Sequence, residues 1–122
     1  MTPVLMAFAG GLGAAVRFVV DGVITHHSRL RFPLGTAVIN VTGSFLLGLL
    51  TGWALVHTGL SEFKTVLGTG FLGGYTTFST ASVEPVRLAA GSRAASLAIA
   101  YAVGMLVLSL MGAGLGLWLA MT

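Results

Sequence analysis

Long stretches without any charged residue are the feature that most limits how this chain can fold. Residues 94–121 carry no charge, and neither do residues 33–56. A helix needs about 20 mostly apolar residues to cross the hydrocarbon core of a bilayer, so each stretch is long enough to span it. Only 7% of the 122 residues are charged, against roughly 25% in a typical soluble domain. The chain is therefore predicted to be an integral membrane protein.

Two further apolar stretches bring the prediction to four transmembrane helices and an all-α fold. The predicted spans are residues 3–24, 33–56, 65–88 and 94–121, joined by short polar loops. They leave no room for a soluble domain, so residues 1–122 are expected to form a single four-helix transmembrane subunit. The first span carries charges and has no basic segment before it, which argues against a cleaved signal peptide.

The composition also excludes several functions. The six Lys and Arg residues are scattered, so the net charge of +3 does not form a nucleic-acid-binding patch. There is no cysteine, which excludes disulfides and thiolate metal sites. No carboxylate pair, catalytic triad or phosphate-binding loop is present, so no enzyme is expected. The three loop histidines, His26, His27 and His57, are expected to be solvated rather than metal-bound.

The charges of the loops predict an orientation in the plasma membrane. Four arginines lie in the first and third loops: Arg29, Arg31, Arg87 and Arg93. The opposite face has Lys64 alone. Because positively charged loops stay in the cytoplasm, both termini are expected outside.

Glycines at regular spacing predict close helix packing. Each of the last three spans has two glycines four residues apart: Gly48 and Gly52, Gly70 and Gly74, Gly112 and Gly116. Small residues at this spacing let helix backbones approach each other in lipid. In a chain too small to enclose a pathway alone, we interpret three such pairs as favouring an oligomer.

Polar residues recur on one face of two spans. Thr36, Asn40 and Ser44 follow each other at intervals of four in the second span, and Tyr101 and Ser109 lie on similar faces of the fourth. An amide in hydrocarbon is costly unless it finds hydrogen-bond partners. Asn40 either holds helices together or lines a wet passage, and the spacing alone leaves both interpretations open.

The third span contains an unusual segment, residues 73–80, which reads GGYTTFST. Two adjacent glycines and four hydroxyl residues make a poor membrane helix, so we predict a break near the bilayer midplane. Backbone released at that depth must be satisfied by protein, water or an ion. A kink without a ligand is the alternative to an ion site, and the surrounding hydroxyls favour the ion site.

Two charged residues lie within the first span. Arg17 and Asp21 stand four residues apart on one helical face. They either neutralise each other as an ion pair or leave Arg17 free to attract anions at a vestibule. The spacing favours the ion pair.

Several motifs together resemble the Fluc (CrcB) fluoride channels. They run in order along the whole chain: residues 10–14 (GGLGA) with Arg17, Gly35 and Thr36 with Asn40 and Gly43, and residues 73–80 with Glu84. The resemblance implies an antiparallel dimer of four-helix subunits in surrounding lipid, with two narrow fluoride pathways. The second subunit is either the same chain or a homologue of opposite orientation.

The resemblance also implies roles for particular residues. It places the fluoride pathway at Asn40, Thr36, Phe78, Thr77, Tyr101 and Ser109. Arg17 corresponds to a vestibule arginine. Main-chain carbonyls of Gly73 and Thr76 correspond to the ligands of a structural sodium ion at the dimer centre.

One position departs from the family pattern. Where the family has a second phenylalanine after residues 76–80, this chain has Ala81. The electropositive edge of an aromatic ring can meet an anion, but a methyl group cannot. One pathway to which the subunit contributes is therefore expected to be altered. Together with the charge bias of the loops, Ala81 favours a heterodimer, while a homodimer stays open.

The expected function is passive export of fluoride. The alternative is a small multidrug transporter, which is also a four-span antiparallel dimer. Such transporters need a membrane-embedded glutamate in the first helix, where this chain has only Asp21 near the end. A purely structural membrane subunit would not need the break in the third span.

Overall fold

The computed structural model describes residues 1–27, 34–59, 61–76 and 94–122, and these are helical almost throughout. Helix α1 is Thr2–His27 and helix α2 is Leu34–Val56. A third helical segment, residues 61–75, joins α3 (Ser61–Lys64), a π-helix (Thr65–Leu72) and α4 (Gly73–Tyr75). Helix α5 is Ala94–Met121.

Three of the described helices are long and apolar enough to cross a membrane. They are α1, α2 and residues Ser96–Met121 of α5. The all-α membrane character predicted from the sequence is therefore confirmed. The predicted span 65–88 runs beyond the described residues, so its full length and the count of four spans stay predictions.

Helices α2 and α5 lie side by side and run in the same direction. A Cβ atom at Gly48 would overlap the Ala113 carbonyl oxygen, and one at Gly52 would lie 2.8 Å from that of Leu117. On the other helix, a Cβ at Gly116 would overlap the Phe45 carbonyl oxygen. The contact is the most extensive between any two described elements, because glycine lets the two backbones touch.

Helix α1 packs in the same parallel manner on the third helical segment. A Cβ at Gly13 would overlap the Phe71 carbonyl oxygen, and one at Gly74 would overlap that of Gly10. A Cβ at Gly70 would lie 3.1 Å from the Met6 carbonyl oxygen. The predicted glycine packing is thus confirmed in both helix pairs.

The glycine pairs do not, however, support an oligomer. Each glycine of the three predicted pairs faces another helix of the same subunit, so packing within the subunit already accounts for them: Gly48, Gly52, Gly70, Gly74, Gly112 and Gly116. Spacing alone cannot distinguish a contact within a subunit from one between subunits, since both need the same close approach of backbones. Any case for a dimer must rest on other features.

Several contacts place both termini at one end of the helix bundle. The Thr2 hydroxyl donates to the Glu62 carboxylate at the start of the third segment. The Trp53 ring, near the end of α2, meets the Phe63 ring edge-on, and Gly52 lies against Ala120 near the end of α5. The chain ends and the connection after α2 therefore share one end.

A small apolar core joins the two helix pairs. Ile39 of α2 packs with Leu72 and Tyr75 of the third segment, and all three are buried. Phe71 is partly buried against this cluster, and its ring stacks on that of Tyr75 with centroids 6.4 Å apart. The cluster fixes the end of the third segment against the first half of α2.

The third segment leaves the helical conformation after the glycine pair rather than at it. Gly73 and Gly74 both lie in α4, and the Gly73 N–H donates to the carbonyls of Gly68 and Gly70. Thr76 is extended, with φ −80° and ψ 158°. Close packing explains Gly74, since any side chain there would collide with α1. The helix thus ends at Tyr75, one residue beyond the pair that the sequence marks as the break.

Candidate functional site

One set of contacts between α2 and α5 repeats at a constant offset along the two helices. Gly48 meets Ala113, Gly52 meets Leu117, and the Asn40 side chain meets Met105. Each pair is separated by 65 positions, as the Asn40 pair shows directly. Because both helices repeat every 3.6 residues, we expect the same offset to bring Thr36 towards Tyr101 and Ser44 towards Ser109.

These three levels form a column of side chains between the helices, which we call the α2–α5 column. Its members are Thr36, Asn40 and Ser44 from α2, and Tyr101, Met105 and Ser109 from α5. Thr36 is only 3% exposed and Tyr101 only 2%. The other four are half-buried. The contact between Asn40 and Met105 and the burial of Thr36 and Tyr101 are consistent with the two predicted stripes meeting at the interface of α2 and α5.

Asn40 occupies the middle level of the column. Its amide Nδ2 donates a hydrogen bond to the Met105 sulfur at 3.6 Å. Asn40 and Tyr101 also take part in further interactions. Satisfying a buried amide in this way is what a membrane interior requires, and an amide N–H is also a donor that an anion can use.

The column can offer hydrogen-bond donors but no formal charge. Its hydroxyl and amide groups can each donate a proton, and none of the six residues is ionisable near neutral pH. Such a set can replace the water around a small anion without trapping it. It has no general base that could activate its hydroxyls as nucleophiles.

The end of the third segment lies against α2 close to this column. The Tyr75 hydroxyl and the Thr42 hydroxyl are 3.1 Å apart, and Thr42 donates to the Val38 carbonyl at 2.7 Å. Because the Thr42 proton is used for Val38, Tyr75 donates its own proton to Thr42. At Gly43, a Cβ would collide with the methyl group of Thr76, so only glycine admits this helix end.

The chemistry of this helix end fits a cation held by carbonyl groups. The last carbonyls of a helix have no partner inside it and carry partial negative charge. Gly73 is exposed, with nothing near its Cβ position. Thr76 turns away from the helix while its hydroxyl donates to the Leu72 carbonyl at 2.8 Å. Hard cations such as sodium prefer oxygen ligands of this kind, so Gly73 and Thr76 are suitable candidates.

Arg17 and Asp21 do not form the ion pair that their spacing favours. No ion pair joins them in the part of the chain that the structure describes. The Asp21 carboxyl instead lies against Gly35, where it occupies the space of a side chain. That position is the first turn of α2, whose positive end suits a carboxylate. Arg17 is half-buried on α1, and its vestibule role stays a prediction.

Some predicted site residues lie outside the described residues. They are Thr77, Phe78 and Ala81 of the third predicted span, and the loop arginines Arg29, Arg31, Arg87 and Arg93. Their predicted roles remain as the sequence and the resemblance give them.

Sequence reasoning missed two features of this site. Met105 follows Tyr101 by four residues and precedes Ser109 by four, so the spacing could have identified it. It was overlooked because methionine is apolar and common in membrane helices. The Tyr75–Thr42 hydrogen bond had no signal in the sequence, since the partners are far apart along the chain.

Comparison with known proteins identifies relatives along nearly the whole chain. Residues 4–117 match the family model described as CrcB-like protein, Camphor Resistance (CrcB). The fluoride-specific ion channel FluC 1 of Leifsonia xyli subsp. xyli is 57% identical over 122 residues, covering 98% of this chain and 88% of that protein. FluC 2 of Cutibacterium acnes, also named a fluoride-specific ion channel, is 50% identical over 120 residues, covering 96% and 95%.

A more distant relative agrees. FluC 1 of Ligilactobacillus salivarius, again named a fluoride-specific ion channel, is 40% identical over 116 residues, covering 93% of this chain and 95% of that protein. These likenesses extend across all the described helices, including both sides of the α2–α5 column. The chain is a membrane protein and belongs to the CrcB-like family.

Proposed function

We propose that this chain is a subunit of a fluoride-selective ion channel, and that it performs no catalysis. The observation that carries the proposal is the extensive identity with relatives named fluoride-specific ion channels. The α2–α5 column supports it, because uncharged hydrogen-bond donors line an interface inside the membrane-spanning helices. Fluoride would pass along Thr36, Asn40, Tyr101 and Ser109, and then along Thr77 and Phe78.

Passive flow is sufficient for the proposed function of protecting the cell from fluoride. Hydrogen fluoride crosses lipid as a neutral weak acid and dissociates in the more alkaline cytoplasm, where the anion is trapped. An inside-negative potential of about 100 mV favours the exit of each anion by about 2.3 kcal/mol. A selective leak through the plasma membrane therefore lowers cytoplasmic fluoride without any energy source.

Selectivity would come from the kind of donor. Fluoride is small and strongly hydrated, so a pathway must replace its water with closely placed N–H and O–H groups. The Asn40 amide and the nearby hydroxyls are donors of this kind. Arg17 would raise the local concentration of anions at the entrance.

The multidrug transporter is less well supported. Its cations need a carboxylate inside the membrane, and the only acidic residue within α1 is Asp21. The Asp21 carboxyl lies against the first turn of α2, a position that serves helix packing better than cation binding.

The four-span topology extends this proposal. If α2 and α5 both cross the membrane in parallel, residues 57–93 must cross back between them, as a third span interrupted after Tyr75 would do. The arginines of the first and third loops then place both termini outside. As the family resemblance implies, we propose an antiparallel dimer whose partner completes each pathway.

Reconstitution into liposomes tests the proposed function. Purified protein in vesicles loaded with fluoride should release it when the membrane potential is shunted, and should retain chloride under the same conditions. Equal release of both anions, or release of neither, would contradict a fluoride-selective channel. Proton-coupled uptake of an organic cation would favour the transporter instead.

Expression of the chain alone tests the nature of the partner. The charge bias of the loops and Ala81 favour a homologue of opposite orientation as the partner. A single orientation without fluoride flux, rescued by a co-expressed homologue, would support the heterodimer. Insertion in both orientations with rapid fluoride flux would support the homodimer.

A separate experiment tests the structural sodium ion. If carbonyls of Gly73 and Thr76 hold sodium at the dimer centre, replacing sodium by a large organic cation should weaken the dimer and slow fluoride efflux. Equal dimer stability and equal efflux in sodium-free medium would contradict the site.

A further inference from the structure

Met105 is the member of the α2–α5 column that differs most from the rest. Thr36, Ser44, Tyr101 and Ser109 each carry a hydroxyl, and Asn40 carries an amide. Met105 stands between the two hydroxyl residues of α5, and its sulfur accepts a hydrogen bond from Asn40. It is half-buried and faces α2 rather than lipid.

The thioether of Met105 differs from the other side chains of the column in its hydrogen bonding. A methionine sulfur is a weak acceptor and has no proton to donate. It can satisfy an amide N–H when no ion is present, but it cannot solvate fluoride. Along α5, an anion that leaves Tyr101 therefore finds no further donor until Ser109.

The distance along α5 between Tyr101 and Ser109 is long compared with the length of a hydrogen bond. Eight residues of helix separate the two hydroxyls, a rise of about 12 Å at about 1.5 Å per residue. Donor and fluoride must come within about 3 Å of each other. At the middle level the Asn40 amide is the donor that α2 supplies, while α5 supplies none.

We propose that Met105 sets the rate of fluoride passage in this subunit by interrupting the donors of α5. The inference rests on the proposed function and adds a rate-determining residue to it. Passage past Met105 depends on Asn40 from one side, and the dehydrated ion faces a thioether on the other. A hydroxyl at position 105 divides the interval into two steps of about 6 Å each.

The test compares fluoride efflux from liposomes for four variants and the unmodified protein. Met105→Ser supplies a hydroxyl, and Met105→Thr does so with more of the original bulk. Either change is expected to raise the fluoride efflux rate by about 3- to 10-fold, the equivalent of one added hydroxyl hydrogen bond. Met105→Leu keeps the volume without a donor and is expected not to exceed the unmodified rate.

A control separates this effect from a general loosening of α5. Met111 is on the same helix but is 64% exposed, so Met111→Ser adds the same hydroxyl away from the column. It is expected to leave the rate unchanged. If Met111→Ser or Met105→Leu accelerates efflux as much as Met105→Ser does, the proposed role is wrong.

The remaining outcomes distinguish the two proposals. Fluoride efflux from the unmodified protein, with no gain in either hydroxyl variant, contradicts the role of Met105 and leaves the channel function standing. A silent unmodified protein that becomes active as Met105→Ser supports the role of Met105. Absence of fluoride efflux from the unmodified protein and both hydroxyl variants contradicts the channel function, and the role of Met105 fails with it.

Discussion

The two parallel helix pairs use glycine in the same way but differ in what lies between the glycines. Between α2 and α5, the backbones touch at Gly48 and Gly116. Polar side chains recur every four residues in the first half of α2, and Tyr101 and Ser109 lie eight residues apart on α5. Between α1 and the third segment, Gly70 and Gly74 meet Met6, Ala9 and Gly10, and a polar contact joins Thr2 to Glu62 at one end. Glycine brings helices together, but the neighbouring positions decide whether the interface also carries polar groups.

The largest expected effect comes from removing the Asn40 amide from the interface between α2 and α5, which tests whether this interface differs in function from the other. Asn40→Ala should lower fluoride efflux by about 100-fold, because a hydrogen bond to a charged group contributes up to about 3 kcal/mol. Assembly should be retained, since the substitution leaves the glycine contacts intact. Efflux from liposomes and size-exclusion chromatography measure the two effects. Unchanged efflux from correctly assembled protein would remove Asn40 from the pathway.

A second substitution is expected to destabilise the packing of α2 on α5. Gly116→Ala places a methyl group against the Phe45 carbonyl and 2.8 Å from the Leu49 nitrogen. Overpacking of this kind destabilises by about 1–3 kcal/mol, and we expect the upper half of that range because both obstacles are backbone. Gly114→Ala is the matched control, since nothing lies within 4 Å of its Cβ position. Similar thermal unfolding of both variants in detergent would contradict the packing.

The corresponding change in the other helix pair should be milder. Gly74→Ala directs a methyl group at the Gly10 carbonyl, whereas the neighbouring Gly73 is open. Gly74 is followed by a single helical residue, whereas Gly116 is followed by five, so the helix around Gly74 can shift more easily. We expect a loss of stability of about 1–2 kcal/mol. Thermal unfolding of Gly73→Ala, which should match the unmodified protein, is the control.

The smallest expected effect concerns the contact that links the two pairs. Tyr75→Phe keeps the ring in its buried site and removes only the proton donated to Thr42. One such hydrogen bond contributes about 0.5–1.5 kcal/mol. Thr42→Val should cost a similar amount, and the double variant should cost less than the two together. Strict additivity of the two changes would show that the hydroxyls do not interact.

The sequence predicted those parts of the molecule that depend on local pattern. Uncharged stretches identify the long helices, because burial in lipid excludes charge along a whole span. Intervals of four residues identify the glycine contacts and the faces bearing Asn40 and Ser109, because a helix repeats every 3.6 residues. Both signals are contained within single helices.

What the sequence could not predict depends on which helices meet. The carboxyl of Asp21 lies against Gly35 instead of pairing with Arg17, and this choice depends on how α1 packs on α2. The helix ends at Tyr75 rather than at the glycine pair, and Gly74 instead serves the contact with α1. No local pattern distinguishes a glycine that ends a helix from one that admits a neighbour.

The register of α2 against α5 has a consequence for biosynthesis. Asn40 and Met105 are 65 positions apart along the chain. At about 5–20 residues per second, the ribosome needs roughly 3–13 s after making Asn40 before it has made Met105. During that interval α2 presents an amide to lipid or to the insertion machinery without its neighbour. During membrane insertion, the Asn40 amide therefore passes through a stage without its Met105 contact, and this stage ends when α5 has been synthesised and inserted.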